Sequence, residues 1–134
     1  MGGRHEYGFG LDKEENRKYR VLGMIDGIKV LIPKDTNKKQ PTPTPTYSNT
    51  SNTQYIVIRS DMKLKSFYFY EGKKLVRSVD FDHGKNPHVH IWKEEYSKDG
   101  KKTPGRNEIE ENHLTLSQSD WNLYNKVKKF LNSL

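Results

Sequence analysis

The chain has 134 residues, about the size of one domain, and only 31% of them are hydrophobic, so the core must be modest. No apolar run approaches the roughly 20 residues of a membrane helix, the opening Met1-Gly2-Gly3-Arg4-His5 is not a secretory signal, and the chain is expected to be soluble. There is no cysteine, which excludes a disulfide framework, a thiolate nucleophile and a thiolate metal site; any metal would have to rest on His, Asp or Glu.

Residues 19–25 and 28–32 flank Asp26-Gly27, a pair suited to a type I′ turn, and predict a β-hairpin that Pro33 ends. The polar stretch 34–53 carries Pro41-Thr-Pro-Thr-Pro45 and reads as extended chain, either a linker or a strap over the surface. A strap is favoured, because a lone hairpin is marginal in water and needs a partner. Alternating segments at 55–59, 64–70, 75–82 and 88–92, separated by short turn-like breaks, predict an antiparallel meander. A charged loop is expected through Gly100 and Pro104-Gly105. The chain then closes with a helix capped by Ser117 and Asp120, its apolar stripe formed by Trp121, Tyr124, Val127, Leu131 and Leu134.

The fold class expected is α+β in a single domain, 1–134. An N-terminal segment 1–33, a strap or linker 34–53 and a main unit 54–134 build a four- to six-stranded antiparallel sheet. The C-terminal helix packs on one face, and the other face is expected to be free for function.

Lys plus Arg number 24 against 17 Asp plus Glu, a net charge of +7, which favours a polyanionic partner such as RNA or another nucleic acid. Aromatic side chains can add base stacking. The chemistry-bearing residues concentrate between Asp80 and Trp92, a stretch that holds Asp80, Asp82, His83, His88 and His90. On a strand His88, His90 and Trp92 share a face while Val89 and Ile91 point to the core. A five-residue turn would set Asp80 against His90 and Asp82 against His88; a four-residue turn would set Val79 and Phe81 there instead, and one step of register flips the face.

Two chemistries fit these residue types, the first being the one expected and the second its alternative. Two histidines beside a phosphodiester can divide general base and general acid roles without a cofactor, with Arg77, Lys85 and Arg106 as candidates to stabilise charge on phosphorus. Alternatively His88, His90, Asp80 and Asp82 can bind a divalent metal such as Zn or Mn for phosphoester hydrolysis. In a third reading the chain is a non-catalytic basic binding module and the histidines are surface residues. Trp92 and His113 are further candidates to contact substrate.

Val30-Leu-Ile-Pro33, Pro45-Thr-Tyr-Ser-Asn-Thr50, Lys65-Ser-Phe-Tyr-Phe-Tyr70 and Asp80-Phe-Asp-His-Gly together with Pro87-His-Val-His90 resemble a bacterial and phage-associated domain. It is similar to C-terminal toxin modules of polymorphic toxin systems, many of them small metal-independent ribonucleases of the barnase–EndoU–colicin–RelE-like group. The resemblance implies RNA cleavage in a bacterial cytoplasm and a cognate immunity protein. By position it implies His88 and His90 as the acid/base pair, His83 as a phosphate-contacting turn residue, and Asp80 or Asp82 orienting an imidazole. The group's usual layout places helices before the sheet, whereas here the clear helix comes last.

Overall fold

The computed structural model describes residues 18–34, 44–45, 48–82, 86–96, 102–106 and 115–134. Its strands are β1 (Tyr19–Ile25), β2 (Ile28–Pro33), β3 (Gln54–Ile58), β4 (Leu64–Glu71), β5 (Lys74–Asp80), β6 (His88–Tyr96) and β7 (Lys102–Arg106), followed by the helix α1 (Gln118–Asn132). The protein is α+β: β1 to β6 form one mostly antiparallel sheet in chain order, and β7 extends it by pairing with the outer half of β6.

The β1–β2 hairpin turns at Asp26 and Gly27, whose φ values of 51° and 78° are both positive, as a type I′ turn requires. The meander from β3 to β6 is antiparallel throughout. Between β2 and β3, however, the pairing is parallel, with Lys29 opposite Tyr55 and Leu31 opposite Val57, so the sheet is mixed. This corrects the all-antiparallel expectation and accounts for the long stretch after Pro33. A parallel pair cannot be joined by a tight turn, and the chain must return to the starting end of the sheet before β3 begins.

The described residues Thr44, Pro45 and Ser48 of that return lie against the sheet as a strap. Ser48 donates its N–H to the Lys73 carbonyl, its hydroxyl bonds the Tyr55 hydroxyl at 2.8 Å, and the Tyr70 hydroxyl donates to the Pro45 carbonyl. Thr44 meets the Tyr68 hydroxyl at 3.4 Å. The face beneath it carries a second core of Tyr19, Leu31, Tyr55, Val57, Tyr68, Tyr70 and Leu75, with Trp92 against it. The face opposite the helix is therefore not free, as the sequence had suggested, but covered where these tyrosines lie. A second correction concerns residues 102–106, expected as loop. They pair with β6, and Pro104 is compatible with a strand there because β7 lies at the sheet's edge.

The first core lies under the helix: Val30, Ile32, Ile56, Ile58, Phe67, Val79 and Val89 from the sheet meet Leu123 and Val127. The buried helical positions are Asp120, Leu123 and Val127, while Trp121 and Leu134 are exposed, so the seam is rotated from the stripe expected. Asp120 sets that rotation. Its carboxylate accepts the Ser117 N–H at 2.9 Å in a capping box, and the Arg77 guanidinium donates to its two oxygens at 3.1 and 2.5 Å. Near the helix's other end Phe130 packs over Gly23, where β1 bulges.

Burial works to raise the Asp120 pKa, but hydrogen bonds from Arg77 and Ser117 and the guanidinium charge outweigh it and hold it below the ordinary carboxylate value. Because the folded-state pKa is the lower one, this stabilisation is present above the unfolded value of about 4 and is lost as pH falls through the depressed folded value. Asp120→Asn is expected to cost about 1–3 kcal/mol at pH 7 in urea melts, with the gap to wild type narrowing below about pH 4.

At Gly23 an added Cβ would lie 2.6 Å from Phe130 Cζ. Gly23→Ala must displace the ring and is expected to cost about 1–3 kcal/mol in the same melts.

Candidate functional site

Register decides the site. On β4, β5 and β6, Ser66, Asp80 and His88 stand in one cross-strand row, and Tyr68, Ser78 and His90 in the next. Directly opposed residues share a face, so all six side chains project to the strap side. Neither turn length considered from sequence occurs: the last β5–β6 pair is Asp80 with His88, which leaves a longer connection whose residues 83–85 lie outside the described set.

His88, His90 and Asp80 are buried, at 4%, 3% and 6% exposure, where an exposed strand face had been expected. Buried polar groups in a sheet interior need partners: Asp80 and His88 have hydrogen bonds at close range, and His90 has the Asp80 carboxylate beside it. Ser66 donates its hydroxyl to Asp80 Oδ1 at 2.7 Å. The other oxygen, Asp80 Oδ2, lies 2.9 Å from His90 Nε2. The two imidazole rings meet edge to face with centroids 4.6 Å apart. His88 Nδ1 lies 2.9 Å from the Asn86 carbonyl, and because a carbonyl can only accept, Nδ1 carries the proton. In the neutral ring this assigns the lone pair to Nε2.

One ligand atom from each of Asp80, His88 and His90 falls within 4.8 Å of the other two. A divalent ion bound at about 2.0–2.2 Å from each donor would need donor pairs roughly 3–3.6 Å apart, so the group suits such an ion after small side-chain adjustments. Outer partners of the kind that orient metal ligands are also in place: the Ser66 hydroxyl on the carboxylate and the Asn86 carbonyl on the imidazole.

The other candidates fall as follows. Asp82 lies beyond the last β5–β6 pair and is half-buried. Trp92 lies on the histidine face, but its indole N–H donates to Ser78 Oγ at 2.9 Å, so it forms part of the wall. Arg77 is on the opposite face, paired with Asp120 and lying over the Phe69 ring, and so does not serve the site. The cause is strand alternation: Arg77 is three positions from Asp80 along β5 and shares a face with Phe69, opposite it on β4. Arg106 stands opposite Trp92 on β7. His83, Lys85 and His113 lie outside the described residues.

Sequence reasoning missed Ser66, Tyr68, Ser78 and above all Lys65. The register passes from Ile58–Leu64 to Val57–Ser66, so Lys65 is the extra residue of a bulge. Its ammonium donates to the Tyr68 hydroxyl at 2.7 Å. Burial works to lower the Lys65 pKa, but the Tyr68 oxygen and the carboxylates of Asp82 and Asp80 outweigh it and raise it. The only sequence signal was a lysine second in its strand, just after Leu64.

No family profile, no curated protein and no solved structure matches the chain. Among the described residues no helix is long and apolar enough to cross a membrane.

The His88 geometry is directly testable. Long-range 15N correlation spectra of the neutral protein are expected to show a protonated Nδ1 and a pyridine-type Nε2 for His88; the reverse pattern would mean that the Asn86 contact is not made in solution.

Proposed function

We propose that Asp80, His88 and His90 hold a divalent metal ion and that the domain is a toxin-like nuclease acting on RNA or another nucleic acid. The observation carrying this is the convergence of three donor atoms within 4.8 Å on the buried strap side of the sheet. Two neutral imidazoles and one carboxylate make a donor set suited to Zn, Mn or Fe, and the net charge of +7 suits a phosphate backbone. A bound ion would supply Lewis-acid polarisation of a phosphoryl oxygen and a lowered pKa for its water. The protein's part is to fix the donors. Ser66 sets the carboxylate's orientation, and the Asn86 carbonyl keeps His88 Nε2 as its donor nitrogen.

A second reading, the metal-independent ribonuclease, is favoured by the unequal surroundings of the two histidines. His90 Nε2 sits 2.9 Å from a carboxylate oxygen that can orient it, whereas the His88 tautomer presents the Nε2 lone pair, so the two rings are placed for different parts in proton transfer. A cognate immunity protein and action in a bacterial cytoplasm belong with either form of the toxin reading.

Elemental analysis and cleavage of total RNA, tRNA and duplex DNA test both. The metal reading expects about one Zn or Mn per chain, cleavage that EDTA abolishes and the ion restores, and loss of both in His88→Ala/His90→Ala. Ser66→Ala is expected to weaken metal affinity about 10-fold or more. Cleavage of RNA that survives EDTA but not the double substitution would establish the second reading. A chain that binds nucleic acid equally well with and without the histidines, and cleaves nothing, would be a binding module.

A further inference from the structure

Among the described residues Lys65 is a cation that the fold brings to the histidine face, although its place in the sequence gives no hint of it. In a regular strand a residue one position from Ser66 would point to the opposite side, under the helix. The bulge removes that alternation and re-aims the side chain, a use of bulges that recurs beside active sites. The backbone is anchored there as well, since the Lys65 carbonyl accepts the Phe81 N–H at 2.9 Å, between the two aspartates of β5 and its following turn. The ammonium is then held by the Tyr68 hydroxyl at 2.7 Å and lies 5.4 Å from the Tyr68 ring centroid. Tyr68 stands in the cross-strand row of His90, and Ser66, next to Lys65, bonds Asp80.

Lysine is half-buried here, so it is restrained and yet within reach of a ligand. Its environment includes the carboxylates of Asp80 and Asp82. A positive group one residue from the serine that orients the carboxylate donor is placed to meet an anion that approaches Asp80, His88 and His90. Lysine binds phosphate oxygens as a compact point charge, and a divalent ion on the triad would leave the local balance positive.

We propose that Lys65, positioned by Tyr68, is the anion-binding residue of this site and receives a non-bridging phosphoryl oxygen of the substrate. The inference rests on the metal-centre reading for its chemistry but is tested separately from it. Inorganic phosphate is titrated into the Co²⁺-loaded chain, followed by Co²⁺ absorption and by the Lys65 Nζ resonances. Lys65→Met is expected to keep wild-type Co²⁺ affinity and to lose about 10-fold or more in phosphate affinity, whereas Lys65→Arg retains most of it. Unchanged phosphate affinity in Lys65→Met overturns the inference and leaves the metal reading standing. Parallel loss of folding and Co²⁺ binding in both variants also overturns it, making Lys65 a structural counter-charge for Asp80 and Asp82. If the wild type takes up neither Co²⁺ nor Zn²⁺, the metal reading fails, and the metal-free chain decides the inference: a phosphate-dependent Lys65 Nζ shift supports it, and no shift overturns it.

Discussion

The structure depends on a sheet whose two faces are both covered. The helix lies across one, and the connection between β2 and β3 touches down on the other at Thr44, Pro45 and Ser48. Where the sheet is covered on both sides there is no wet face on which to leave polar side chains, and an unpaired buried polar group costs about 1–3 kcal/mol. The buried polar residues of these strands, Ser66, Ser78, Asp80, His88 and His90, must therefore pair with one another or with a ligand. Those on the strap side form two linked sets: tyrosine hydroxyls bound to the strap, and the Ser66–Asp80–His90–His88 cluster next to them.

The same constraint explains why two ionisable clusters sit on opposite faces without merging. Arg77 and Asp120 serve the helix: a buried carboxylate at the helix N-terminus accepts the guanidinium and closes the cap. Asp80 serves the histidines. Along β5 the two functions alternate with the side-chain period, and the bulge opposite Phe69 and Tyr70 brings Leu75 to the tyrosine side while Arg77 stays under the helix. Arg77, close in sequence to the acid–histidine cluster, is thus a stability element, whereas Lys65, a cation on the cluster's face, comes from another strand.

Chemically, the site combines groups of two kinds on one face of the sheet. Two imidazoles and a carboxylate suit a metal ion or an acid/base pair; a lysine and a tyrosine hydroxyl suit an anion. The two sets are joined through Ser66 and Lys65, consecutive residues at one bulge. A single backbone irregularity in β4 therefore supplies both the group that orients Asp80 and the group proposed to meet a phosphate.

Much of this was legible in the sequence. Asp26-Gly27 announces its turn because few residue pairs accept two positive φ values, the Ser117–Asp120 pair announces a capping box, and strand alternation puts His88, His90 and Trp92 together. The strap also had a local signal, a proline-rich stretch too long for a turn. Local chemistry could not say that this length marks a parallel crossover, because the partner of β3 is chosen by pairing at a distance. Nor could it rank Asp80 above Asp82, since the face a residue takes depends on register set across strands. It misplaced Arg77 because nearness in the chain is not nearness on a sheet, and it missed Lys65 because a bulge is a property of two strands together. What the residues alone determined was which side chains are available for chemistry. Which of them meet was decided by register and bulges, because a shift of one residue carries a side chain from one face of the sheet to the other.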